Sequence, residues 1–215
     1  MEPAHRTLVK VCGLTRLEDA RAALEAGADW LGFIVKGDSP RRVPAATVAR
    51  IASALPGALL VAVMVDPNPG EALELAERSG AARVQLHRVD AAAWPGDFPL
   101  PIAFSVPVAE DGAMTAPLPP ERHLVLLDTA HPSRAGGTGE TFPWETARIV
   151  AATRRVLLAG GLHDGNVAAA IARVRPFGVD ASSRLESAPG IKDPERVRRF
   201  VAAVRACDER LAFDA

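Results

Sequence analysis

The sequence predicts a parallel (β/α)8 barrel, an α/β fold, and three observations carry that expectation. Eight short apolar runs alternate with amphipathic or turn-rich segments along 215 residues. Each run is mostly continuous rather than alternating in polarity, as suits parallel strands covered on both faces. The first strand–helix junction, "CGLT", also lacks the G-x-G-x-x-G spacing of a nucleotide-binding doubly wound sheet, the main alternative.

The elements follow in order. "LVKVC" (8–12) is the first strand. The helix after it has Thr15 and Glu18 at capping-box spacing, Leu17, Ala20 and Leu24 on one face, and Gly27 as its stop. "WLGFIV" (30–35) is strand two, and a helix over 44–54 places Pro44 in its first turn. "ALLVAVMV" (58–65) is strand three, "PGEALELAERSG" a helix ended by Gly80, and "ARVQLH" (82–87) strand four. "VDAAAWPGDF" has room for one short helix before strand five, "LPIAFSV" (100–106). The stretch "PVAEDGAMTAPLPPERH" is rich in proline and glycine and has no helical period, so the helix after strand five is expected to be reduced to a loop. "HLVLLD" (123–128) is strand six. The Gly-rich segment after it, with "AGGTGE" at 135–140, lacks the Lys-Ser/Thr of a Walker loop and reads as a mobile lid. A helix near 143–152, strand seven (154–161), a helix carrying Val167, Ile171 and Val174, and strand eight (177–183) complete the cycle. The last helix opens on Asp193 as cap and Pro194 in its first turn, with Val197, Phe200, Val201 and Val204 on its buried face.

A chain of this length with 48% hydrophobic residues supports one sizeable core, so residues 1–215 are read as a single domain. The formal net charge of −1 and the lack of a long basic block point away from nucleic acid and membrane surfaces. No stretch has the run of apolar residues that a membrane span needs, and "MEPAHRTLVKV" is not a signal peptide. Two cysteines are too few for a disulfide framework, and free thiols in the cytoplasm are the simpler reading. The five histidines show no paired zinc spacing, so no metal is expected.

In a barrel of this kind the C-terminal ends of the strands share one rim, where the chemistry lies. The residues to inspect are therefore Cys12, Lys36, Asp66, Gln85, His87, Ser105, Asp128, Gly160, Gly161, Asp180, Ser182 and Ser183. Cys12 is either a small buried hydrophobe or a thiolate acting as base or nucleophile. Gly13 beside it would let substrate approach the backbone, and the start of the first helix would favour a thiolate. Cys207, far from any strand end, reads as structural. Asp128, after "LVLL", is partly desolvated; that raises its pKa and suits a general acid, the alternative being a carboxylate bonded to loop amides. The arginines of "SPRR" (39–42) are either solvated or placed to clamp a carboxylate. "LAGGL" and "VDASS" end strands seven and eight, where barrels often bind phosphate through exposed amides and hydroxyls.

Together "KVCGLT", "SPRRV", "VQLH", "LLDT", "GGTGETFPW", "LAGGLHDGNV", "RPFGVDASS" and "ESAPGIKD", in this order from about Val9 to Phe200, resemble the phosphoribosylanthranilate isomerases of tryptophan biosynthesis. The resemblance implies an Amadori rearrangement of a phosphorylated small molecule, without cofactor, by a barrel that is a monomer or a homodimer. It implies that Cys12 is the general base and Asp128 the general acid. It gives Arg41 the anthranilate carboxylate, and Gly160, Gly161, Ser182 and Ser183 the phosphate. Gln85, His87, Asp180 and Arg184 are implied to lie near the site. Arg88 and Arg184 stand where the family usually has glycine. The related isomerase of histidine synthesis would end strand one in aspartate, and Cys12 argues against it.

Overall fold

A computed structural model describes residues 6–130 and 142–213. Eight parallel strands close into a barrel in chain order. They are β1 Leu8–Val11, β2 Trp30–Lys36, β3 Leu59–Val65, β4 Arg83–His87, β5 Ile102–Val108, β6 Leu124–Thr129, β7 Val156–Leu158 and β8 Gly178–Ala181. The helices are α1 Leu17–Glu25, α2 Ala45–Ala54, α3 Pro69–Ser79, α4 Trp144–Ala151, α5 Val167–Val174 and α6 Pro194–Phe213. The segment expected as a lid lies outside the described residues, apart from buried Phe142.

Two cores explain why the strands read as continuous apolar runs. Val9, Val11, Leu31, Phe33, Val84, Leu86, Val125 and Leu127 belong to a large outer core packed against the helices. Cys12, Trp30, Val61, Val63, Leu126, Leu157 and Ala159 form a smaller cluster inside the barrel. Because strand side chains alternate, the interior set is every second residue. The polar intrusions fall on that interior set: Lys10 precedes Cys12 by two, Gln85 precedes His87 by two, and Asp128 follows Leu126 by two.

The helix after β5 is absent, as expected, and so is the one after β4, where the sequence left room for a short helix. Pro95, Pro99 and Pro101 withhold the amide donors a helix needs, and Gly96 adds backbone freedom that disfavours one. Trp94 takes the helix's place on the barrel wall, with its ring centroid 5.7 Å from Phe98 and 6.1 Å from Phe104. The β5–β6 segment is pinned by the Arg154 guanidinium, which donates to the Pro119 and Pro120 carbonyls at 2.9 and 3.2 Å.

The expected capping box on α1 does not form. Thr15 Oγ1 donates instead to the Gly190 carbonyl at 2.5 Å, and Arg16 is the cap residue without a side-chain bond. Pro44 sits one residue ahead of α2, at the cap itself. Asn68 caps α3 by accepting from the Glu71 amide, and Asp193 caps α6 through the Glu195 and Arg196 amides. After β8 the chain adds a 3-10 turn (Ser183–Leu185) and a two-stranded ribbon, β9 Glu186–Ala188 with β10 Ile191–Lys192. That ribbon, which sequence patterning did not reveal, carries two residues of the site. Cys207 is buried on α6, with its Sγ 3.5 Å from the Ala168 carbonyl.

Candidate active site

The C-terminal ends of the strands enclose one cleft, and it brings together all eleven residues singled out for the site: Cys12, Arg41, Gln85, His87, Asp128, Gly160, Gly161, Asp180, Ser182, Ser183 and Arg184. Lys36 is turned elsewhere, donating to Glu71 and to the Asp66 carbonyl. Ser105 and Asp66 are not among the residues lining the cleft.

Cys12 follows β1 directly, and its amide donates to the Ala181 carbonyl at 2.9 Å, which fixes it against β8. Its thiol is buried, and burial pushes its pKa up, while Lys10 pulls it the other way. Lys192 also favours the thiolate. These two lysines oppose the cost of burying a thiolate. Lys10 is completely buried and pairs with Asp180 across the β1–β8 register, its Nζ 2.9 Å from both carboxylate oxygens. Burial pulls the lysine down, but Asp180 and Cys12 together outweigh it and hold it charged. Gly32 on β2 makes room for this arrangement. A Cβ there would stand 2.8 Å from Cys12 Sγ and 3.0 Å from Lys10 Nζ.

Asp128 ends the interior face of β6. Burial raises its carboxyl to about 7, and the nearby Asp180 charge acts in the same direction. The Thr129 amide donates to it at 2.9 Å but does not offset the burial. A carboxyl that holds its proton near neutrality can donate it. On β4, Gln85 Nε2 and His87 Nε2 are 2.9 Å apart. Burial, with Lys10 and Arg88 adding to it, lowers His87 to about 4, so its ring is neutral and its Nε2 accepts from the amide. Arg88 takes φ of 57°, the left-handed region where glycine is unstrained.

Arg41 reaches over the cleft from the β2–α2 loop. Its Nε and Nη2 donate to the two Glu186 oxygens at 2.8 Å each, and Lys192 Nζ donates to the same carboxylate at 2.8 Å. Burial would raise Glu186, but Arg41 and Lys192 together take it below the usual carboxylate range. The arginine is thus braced by a buried acid and not loosely solvated. Gly13 leaves room for Arg41 and Ser182. A Cβ there would lie 2.7 Å from Arg41 Cδ and 2.8 Å from Ser182 Oγ, and its φ is 71°. Gly160, Gly161, Ser182, Ser183 and Arg184 line the cleft from the adjacent β7–α5 and β8–β9 connections.

Sequence reasoning missed Lys10, Glu186 and Lys192. The signal for Lys10 was its parity: a lysine two residues before Cys12 in a strand shares the cysteine's face. Glu186 and Lys192 lay in "ESAPGIKD", but only the folded ribbon shows that they meet Arg41.

A family model described as N-(5'phosphoribosyl)anthranilate (PRA) isomerase matches residues 9–203. The N-(5'-phosphoribosyl)anthranilate isomerase of Geobacter sp. (strain M21) is 41% identical over 200 residues, covering 93% of this chain and 98% of that one. The crystal structure of phosphoribosyl anthranilate isomerase from Thermus thermophilus superposes with a TM-score of 0.79 at 33% identity, over 93% of this chain and 99% of that chain. A phosphoribosyl anthranilate isomerase in complex with reduced 1-(o-carboxyphenylamino)-1-deoxyribulose 5-phosphate superposes with a TM-score of 0.77 at 29% identity, with the same coverage. Matched in sequence and in fold along nearly its whole length, the chain belongs to the N-(5'-phosphoribosyl)anthranilate isomerase family.

Proposed function

We propose that Cys12 and Asp128 act as general base and general acid in the aldose–ketose isomerisation of N-(5'-phosphoribosyl)anthranilate, the family's step in tryptophan biosynthesis. The observation that carries this reading is one cleft holding a thiol flanked by lysines and a carboxyl that keeps its proton to about pH 7. Asp128 delivers its proton to the ribose ring oxygen, the C1–O bond breaks, and the anilino nitrogen becomes an iminium. The iminium acidifies the C2 proton and, being a cation, also favours the Cys12 thiolate by Coulomb attraction. Cys12 removes that proton, and the resulting enol relaxes to the aminoketone. Such a group typically contributes ~10²–10⁴-fold each. Turnover followed by the fluorescence of the substrate tests the base: Cys12→Ser is expected to lower kcat by that factor with KM little changed. Near-native turnover in that variant would remove Cys12 from the mechanism.

The substrate's two anionic ends find matching groups. The amides and hydroxyls of Gly160, Gly161, Ser182 and Ser183, beside the Arg184 cation, suit the phosphate. Arg41, its Nε and Nη2 engaged by Glu186, keeps Nη1 for the anthranilate carboxylate. Because that contact serves ground and transition states alike, Arg41→Ala is expected to raise KM by roughly tenfold or more and to lower kcat less. A loss confined to kcat in steady-state kinetics would contradict the assignment. The relative bound to reduced 1-(o-carboxyphenylamino)-1-deoxyribulose 5-phosphate supports a ligand with both groups.

A further inference from the structure

The opposite end of the barrel holds a second cavity, of about 390 Å³, within the size range of small-molecule sites. It lies where strands begin: Trp30 opens β2, Arg83 opens β4, and Arg155 precedes β7. Three arginines line it, Arg83, Arg122 and Arg155, together with His123. None of these arginines has a carboxylate partner among the described residues, and no described residue lining the cavity is acidic. Arg83 Nε and His123 Nε2 are buried without a hydrogen-bond partner among the described residues. Arg83 is lowered by burial and then by the like charge of Arg155, so the two cations repel each other. Lys10, already paired with Asp180, closes the inner end.

Arg83, with its Nε buried and unpartnered among the described residues and a like charge beside it, is where an anion would recover energy. Arg155, over the Phe177 ring at 3.9 Å, and Arg122 are exposed and add charge at the mouth, and guanidinium forks match a carboxylate. The walls add a second requirement. Arg83 stacks over Trp30 at 4.5 Å, and Phe98 lines the cavity with Leu124. An anion alone would leave that apolar surface wet. We infer that the N-terminal end of the barrel binds a small carboxylate with a flat apolar body, between Arg83, Arg122 and Arg155 and the Trp30–Phe98 wall. The site opens at the other end of the barrel from the catalytic cleft, meets it at Gln85 and Lys10 in the barrel interior, and does not depend on the roles assigned there.

The test uses the whole chain with benzoate as probe and inorganic phosphate as control at matched ionic strength, followed by amide NMR shifts and calorimetry. Benzoate is expected to bind saturably and shift resonances around Trp30, Arg83 and His123. Arg83→Gln and Arg155→Ala are expected each to weaken binding by roughly tenfold or more, while isomerase kcat/KM stays within about twofold. Arg155 is exposed, so its variant retains the fold even if Arg83→Gln does not. The inference is overturned by shifts confined to the Arg41 side of the barrel, by affinity unchanged in Arg155→Ala, or by phosphate saturating the site while benzoate does not. Absence of saturable benzoate binding also overturns it, including the case in which sedimentation shows a second copy covering the mouth.

Discussion

Asp128→Asn is expected to lower kcat by about 10²–10⁴-fold and, above neutral pH, to make the protein more stable. The two effects have one cause. The wild-type carboxyl sits where burial raises its pKa from an unfolded value near 3.9 to about 7. A carboxyl raised in the folded state contributes its stability below the unfolded pKa and loses it as pH rises to the folded value. Between about pH 4 and pH 7 the wild type therefore loses stability that the asparagine variant keeps, and above pH 7 the gap is constant. Full burial would make it roughly 4 kcal/mol; a carboxyl at the wall of an open cleft is partly hydrated, so about 1–3 kcal/mol is expected. Asparagine can still accept from the Thr129 amide through its Oδ1. Urea denaturation at pH 5 and pH 8 reads the effect. A variant that is less stable than the wild type at pH 8 would mean that Asp128 is ionised and well solvated, and its role as proton donor would fall with it.

Lys10→Met should be the most destabilising change in the barrel interior. It leaves Asp180 buried with no cation at hydrogen-bond distance, and breaking such a pair typically costs about 3–5 kcal/mol. Against a typical stability of roughly 5–15 kcal/mol, the single variant is marginal. The double variant Lys10→Met with Asp180→Leu removes both charges and is expected to regain much of the loss, since apolar replacement of a buried pair is often neutral. Activity should not return with the fold. Without Lys10 the thiol of Cys12 loses the nearest charge favouring its ionised form, so its alkylation by iodoacetamide should require a higher pH than in the wild type. Recovery of wild-type turnover in the double variant would show that the lysine serves stability alone.

Much of this protein was legible in its residues because the relevant physics is local. Continuous apolar strands, the Gly80 stop of α3, the Asp193 cap of α6, and prolines where helices fail are properties of neighbouring residues. Their repetition eight times is enough to imply a closed parallel barrel. The rim rule then turned strand endings into candidates, which is how Cys12 and Asp128 were found. Where local signals and tertiary contacts competed, the tertiary contacts won. The Thr15 hydroxyl went to Gly190 rather than to its own helix, and Trp94 packed on Phe98 and Phe104 in place of a helix.

The sequence by itself determined the strand order, the family resemblance and the identity of the thiol and carboxyl at the rim. Only the tertiary structure decided what those groups experience. Lys10 and Asp180 are 170 positions apart, and Arg41 and Glu186 are 145 apart, so no local pattern pairs them. Closing the barrel brings β8 beside β1 and folds the ribbon back over the rim. That closure partly desolvates Asp128 and sets two lysines against the burial of Cys12. Proton affinity depends on the charges and solvent within a few ångströms, and those neighbours exist only once the ring is shut.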